Sequence, residues 1–152
     1  MKQFLQNVMN DMKNRSVGEC LGCTYEENCP GDCEICLDYI HNQSHAPNGA
    51  PERKYDCVHM ADVYACKYSY RYTSEIIYAL KRCKDLWNVN NLKVLSFGCG
   101  PCTDLFAIDY LHESGKLKYQ NIEYRGVDYS EAVWRYIPVS YTHLTLPTNR
   151  EV

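Results

Sequence analysis

Apolar residues recur along this chain at two spacings, and the spacing assigns the elements. Near the N-terminus Phe4, Leu5, Val8, Met9 and Met12 fall on one side of a helical wheel. That pattern predicts a short amphipathic helix within residues 1–17, docked by its apolar face. The longest periodic segment runs from Tyr55 to Trp87. Val58, Ala61, Ala65, Tyr68, Tyr72, Ile76, Ala79, Leu80 and Cys83 form its stripe, with a start at Tyr55 or Asp56 and a bend or break near Thr73-Ser74. Residues 42–53 hold Pro47, Asn48, Gly49 and Pro51 and read as a loop or linker; Asn88 to Asn91 reads as a turn. The spacing then changes. Lys93–Phe97 and Ile122–Val127 are short runs of strand type. Between them Leu105, Ile108 and Leu111 share a helical face within Thr103–Ser114, with Thr103 as the expected N-cap and Gly115 as the C-terminal glycine. A further helix is expected from Glu131, capped by Ser130, with Val133, Trp134 and Ile137 apolar. Strand, helix, strand with a right-handed crossover is the opening of an α/β fold.

The first strand runs straight into Gly98-Cys99-Gly100, and a helix follows at once. Helix N-termini carry N–H groups without helical partners and a partial positive charge, so such a turn can receive a polar or anionic ligand. Glycine lets the backbone take φ > 0 and lets a ligand come close. The second strand ends at Asp128, where nucleotide-type folds hold ribose hydroxyls.

The two segments together resemble class I S-adenosylmethionine-dependent methyltransferases, whose pattern runs roughly Val-Leu-Asp-x-Gly-Cys-Gly-x-Gly-x-Asp and then Gly-x-Asp-x-Ser. Gly98, Cys99, Gly100, Asp104, Gly126, Asp128 and Ser130 match it. Ser96 stands where that family usually has an acidic residue, and Cys102 where it usually has a third glycine. The resemblance covers about Lys93 to Ile137. It implies the start of a doubly wound, Rossmann-like sheet, truncated here, and methyl transfer from S-adenosylmethionine. It also implies a cofactor site at Phe97, Gly98, Cys99, Gly100, Asp104, Asp128 and Tyr129. The methionine end and adenosine backbone would meet the glycine loop, the ribose Asp128, and the adenine Tyr129. Neither a catalytic residue nor the methyl acceptor is assigned.

Five cysteines, Cys20, Cys23, Cys29, Cys33 and Cys36, stand close together in a stretch with few apolar residues. Paired thiols two residues apart suit tetrahedral Zn²⁺, with Cys20, Cys23, Cys33 and Cys36 as ligands. Cys29 is then a spare or a replacement, and His41 and His45 lie near enough in sequence to serve. Gly22, Pro30, Gly31 and Asp32 supply turns around the thiols. Two alternatives stand beside zinc: a loop with free thiols, and an iron–sulfur site, because Cys29, Cys33 and Cys36 resemble the motif of radical S-adenosylmethionine enzymes. Cys57, Cys66 and Cys83 read as small core residues, and His59 as surface or core.

The chain has 152 residues and a formal net charge of −3, so no global field draws nucleic acid. Fourteen tyrosines are unusual. Tyr64, Tyr68, Tyr70, Tyr72 and Tyr78 do not fit one buried face; with Lys67 and Arg71 between them they read as half-buried helix positions. Single-stranded nucleic acid is the functional alternative. No signal-peptide pattern opens the chain and no run approaches a membrane span, so a cytoplasmic setting is expected. Reducing conditions there favour metal over disulfides for the clustered thiols. From Val139 to Thr148 the sequence resembles translated read-through of a transposase-based sequencing adapter, so the natural frame is expected to continue past Pro138. The expected organisation is residues 1–54 as N-terminal helix, cysteine-rich segment and linker, and 55–90 as a helical region. Residues 91–138 form the partial cofactor domain, and 139–152 an artefactual tail. The rival to a methyltransferase fragment is a non-enzymatic, zinc-stabilised interaction module with a degenerate nucleotide fold.

Overall fold

Local sequence accounts for most of the elements found. A computed structural model of the chain describes residues 1–14, 32–50, 52–129 and Trp134. These include helices α1 (Lys2–Asn14), α2 (Cys33–His41), α3 (Val58–Leu80) and α4 (Thr103–Glu113), and strands β1 (Asn91–Phe97) and β2 (Asn121–Val127). The chain divides into two compact units, Met1–Tyr68 with Ala132–Tyr136, and Ser69–Glu131 with Ile137–Val152. The expected helix at Ser130, Glu131, Val133 and Ile137 and the tail at 139–152 lie outside the described residues. So do Cys20, Cys23, Cys29 and the last three residues of the expected first helix.

In the first unit, α1 buries Leu5 and Val8, as its stripe predicts, but leaves Met9 of the same stripe exposed. The cysteine-rich stretch departs from expectation, because Cys33 and Cys36 lie in the first turns of a helix and not in turns. Asp32 causes this. Its backbone is extended and its carboxylate accepts from Glu34 N at 2.8 Å and Ile35 N at 3.4 Å, which caps α2. Leu37 of α2 meets Cys57 and Met60 in a core flanked by Ile40, Tyr55, Val63, Tyr64 and Tyr68. Beside it, Tyr64 packs on Tyr55, Tyr68 and Trp134 with ring centroids 5.5, 5.0 and 5.4 Å apart. Trp134, expected on a helix, has no regular structure; its ring is buried against Ala61 and this aromatic group. Aromatic burial, not helical periodicity, sets its position.

The long helix α3 is shorter and more regular than its periodicity suggests. It begins at Val58, not Tyr55 or Asp56, with Cys57 O accepting the first bond from Ala61 N at 2.9 Å. No break occurs at Thr73-Ser74: the Ser74 hydroxyl donates to Arg71 O at 2.7 Å within the helix. Tighter bonds from Arg82 N to Ala79 O and Cys83 N to Leu80 O close it. Ala79 and Cys83, expected in the stripe, are exposed, and Ile77 and Leu80 are the packed residues.

The second unit is a mixed helix and strand arrangement around a two-stranded parallel sheet, in register from Asn91 opposite Asn121 to Phe97 opposite Val127. Each strand starts slightly earlier than its apolar run. Side chains alternate along β1: Leu92, Val94 and Ser96 turn inward while Leu95 and Phe97 are exposed. Leu92 joins Ile108, Leu111 and Leu117 in one core; Cys102, Leu105 and Tyr124 form another. Gly115, at φ 70°, stops α4, and Lys116 N and Leu117 N return to Leu111 O, as predicted. Among the described residues, no helix is long and apolar enough to cross a membrane.

Replacing Asp32 with Ala removes both capping bonds, and should lower stability by about 1 kcal/mol in equilibrium urea denaturation. Asp32→Asn, which can still cap, should recover most of that loss.

Candidate functional site

The loop from β1 to α4 is held by hydrogen bonds to the end of β2. Gly98 N and Cys99 N both donate to Val127 O, at 2.7 and 3.2 Å, and Gly100 N donates to Asp128 Oδ2 at 2.8 Å. The parallel register makes this possible, because it places both strand ends side by side. The sequence suggests a loop with N–H groups open to a ligand. Instead these three are paired within the protein.

Past Gly100 the chain closes a tight turn, with Cys102 N donating to Cys99 O at 2.8 Å. Gly98 and Gly100 have φ of 65° and 47°, and Cys102 has φ 56° and ψ 46°. Cys102 thus keeps the left-handed backbone that glycine adopts freely, at a cost of about 1 kcal/mol for a side-chain-bearing residue. It also corrects the cap: Cys102, not Thr103, precedes the first helical turn, and it makes no side-chain capping bond. Thr103 is the first helical residue, and its carbonyl accepts from the Thr73 hydroxyl at 3.2 Å.

Beneath the loop lies a polar pair that sequence reading missed. Tyr124, only 2% exposed, donates its hydroxyl to Asp104 Oδ1 at 2.8 Å. Asp104 Oδ1 also accepts from Leu105 N at 2.9 Å. Burial, then the neighbouring Cys102 and Asp104, push the Tyr124 phenol far above the ordinary tyrosine value. Tyr124 was findable from period two, since Ile122, Tyr124 and Gly126 share a strand face. Gly126 is needed for packing. A Cβ there would sit 2.8 Å from Cys99 Sγ, 3.1 Å from Tyr124 Cε1 and 3.2 Å from Cys99 Cβ.

Cys99 is half-buried and packs against the cluster that holds the fully buried Cys102. The neighbouring Cys102, then burial and the charges of Asp128 and Asp104, raise the Cys99 thiol far above its usual range. The bonds from Cys99 and Tyr124 lower Cys102 despite its burial. The signal missed in sequence is the C-x-x-C spacing inside the glycine turn.

Of the expected cofactor residues, Gly100 bonds Asp128 directly, while Gly98 and Cys99 bond the adjacent Val127. Asp104 is drawn to Tyr124. Phe97 and Tyr129 are 78% and 93% exposed.

The expected metal residues are only partly described. Cys33 and Cys36 lie three apart on α2, which puts them on neighbouring turns of one face. Cys36 is buried and accepts from Arg53 Nη1 at 3.5 Å; Cys33 packs against the Leu37 core. His41 Nε2 is 2.8 Å from the Tyr55 hydroxyl, and His45 Nδ1 is 2.7 Å from Asp38 Oδ2. The His45 bond, with one from Asn42, lowers the Asp38 carboxyl below its usual range. Among the described residues, no group of three or more His, Cys, Asp or Glu side chains is placed to hold a metal ion. In the tyrosine-rich helix, Tyr70 and Tyr78 are exposed, Lys67 pairs with Glu34 at 3.7 Å, and Arg71 with Glu75 at 3.1 Å.

No protein-family model, curated protein or solved structure gives a significant match to this chain.

Two outcomes test the site's packing. Gly126→Ala should cost about 1–3 kcal/mol by overpacking, and adding Cys99→Ala should restore part of it in a double-mutant cycle read by urea denaturation. Folding holds the Tyr124 phenol neutral, while the unfolded chain releases its proton near pH 10.0. That contribution is whole below pH 10.0 and declines as pH rises beyond it. Tyr124→Phe should therefore flatten the fall of stability with pH on the alkaline side, measured by denaturation across a pH series.

Proposed function

We propose that this chain carries the cofactor half of an S-adenosylmethionine-dependent methyltransferase working in the cytoplasm. The reading rests on the resemblance of its two motifs, and one observation carries it furthest. Gly100 N and Asp128 Oδ2 meet at 2.8 Å although 28 positions separate them, so the glycine turn and the acidic residue form one site at one end of the sheet.

The residues suit such a cofactor. Gly98 faces open space, with nothing within 4 Å of where a Cβ would stand, so a ligand can approach its backbone. A carboxylate has about four acceptor positions, which makes Asp128 the type of side chain that holds ribose hydroxyls. Phe97 and Tyr129 offer exposed rings to the purine. Bound there, S-adenosylmethionine supplies an electrophilic methyl group. The chain's own residues hold and orient it; the acceptor is an unassigned nucleophile.

A second reading, a zinc-stabilised interaction module with a degenerate nucleotide fold, is favoured by a different observation. The three loop N–H groups are already spent on β2. In this reading Cys20, Cys23, Cys33 and Cys36, with Cys29 in reserve, hold Zn²⁺. Native mass spectrometry then finds one zinc per chain, lost in Cys33→Ser with Cys36→Ser, and no S-adenosylmethionine binding.

Calorimetric titration with S-adenosylmethionine separates the readings. The methyltransferase reading expects saturable binding, weakened about tenfold or more (~1.4 kcal/mol) by Asp128→Ala. Asp128→Asn retains an oxygen for Gly100 N and should weaken binding to a similar degree. If only the alanine variant binds poorly, Asp128 acts through the loop. If the unaltered chain shows no binding, the cofactor reading fails.

A further inference from the structure

We propose that Cys99 and Cys102 are a reversible dithiol–disulfide site, exchanging with small aliphatic disulfides. The geometry is already close to that of the oxidised form. The Cys102 N to Cys99 O bond of 2.8 Å closes a four-residue turn. Such a turn holds its end Cα atoms within about 7 Å, and a disulfide accepts Cα separations of about 4.4–6.8 Å. Both sulfurs belong to one cluster with Leu105 and Tyr124, so neither has to be drawn from elsewhere.

Exposure divides the roles. Cys99 is half-buried and can be reached from outside; Cys102 is 0% exposed and can be reached only by its neighbour. Cys99, the sulfur that a disulfide can reach, gives its proton to water to become the thiolate. The Cys99 thiolate attacks one sulfur of R–S–S–R, forming Cys99–S–S–R and expelling RS⁻, which takes up the proton that Cys99 gave up. Cys102, as thiolate, then attacks Cys99 Sγ. The bond to the small thiol breaks, and a second RS⁻ leaves with the Cys102 proton. The protein gives up two electrons and two protons; the small disulfide takes both and departs as two RSH. The second step is intramolecular and between preoriented atoms, so the mixed disulfide is short-lived. No step involves a bound cofactor, so the site stands whether or not the loop takes S-adenosylmethionine.

The test uses the whole 152-residue chain, fully reduced and then held in glutathione buffers of rising oxidised-to-reduced ratio. Samples are quenched with acid, alkylated and mapped by peptide mass spectrometry. The expected product is a peptide joined at Cys99 and Cys102 that has lost two hydrogens, reversible on adding reduced glutathione. Cys102→Ser should trap the glutathione adduct on Cys99. Cys99→Ser should carry about tenfold less adduct on Cys102, because that sulfur is shielded. A wild-type pair that remains dithiol at every ratio overturns the proposal, as does equally fast adduct formation on Cys102 in Cys99→Ser. The wild-type map needs no substitution, so it decides the matter even if a variant does not fold.

Discussion

The second unit depends on how the β1–α4 loop spends its backbone donors. Val127 O takes two N–H groups and Asp128 a third, at the point where a parallel strand pair would otherwise leave its ends open. A parallel pair cannot be joined by a tight hairpin, so its ends must be held by other means. Here the loop itself does this, and α4 starts from a position set by the end of β2. The positive φ angles of Gly98, Gly100 and Cys102 follow from turning the chain sharply enough to reach those acceptors.

That arrangement places chemistry on two levels. Phe97, Gly98, Asp128 and Tyr129 lie at the outer end of the sheet. Beneath them the buried Cys102 and Tyr124 adjoin the partly buried Asp104, which accepts from the Tyr124 hydroxyl. Buried polar groups are tolerated when paired and costly when not. The tight turn that closes the loop also sets Cys99 against the cluster that holds Cys102. Cys102 gives up the ease of glycine in a left-handed conformation, and a side chain there closes the core while facing Cys99.

The first unit is built on different physics. Asp32 starts a helix inside a cysteine-rich stretch, and Leu37, Cys57 and Met60 give that helix a core to lie against. Tyr64 packs edge-on against Tyr55 and Trp134 and tilted against Tyr68, whereas Tyr70 and Tyr78, in the second unit, are exposed. The basic residues between them each meet an acid, through exposed pairs worth little individually.

Much of this was legible in the sequence. Leu5 and Val8 on the buried face of α1, the strand–loop–helix–strand order and the stop at Gly115 follow from local periodicity and from what glycine alone permits. The glycine turn and Asp128 were paired in the sequence only through a motif resemblance; their hydrogen bond is a fact of the tertiary structure. Tertiary structure decided the rest: the capped start of α2, the unbroken α3, Trp134 among the aromatic rings, Asp104 turned to Tyr124, and the contact of Cys99 with Cys102. The physical reason is that periodicity records which side of a segment is buried, a property of neighbours in sequence. Hydrogen-bond partners are chosen across segments. Only the parallel register brings Val127 and Asp128 to the loop that consumes its N–H groups on them.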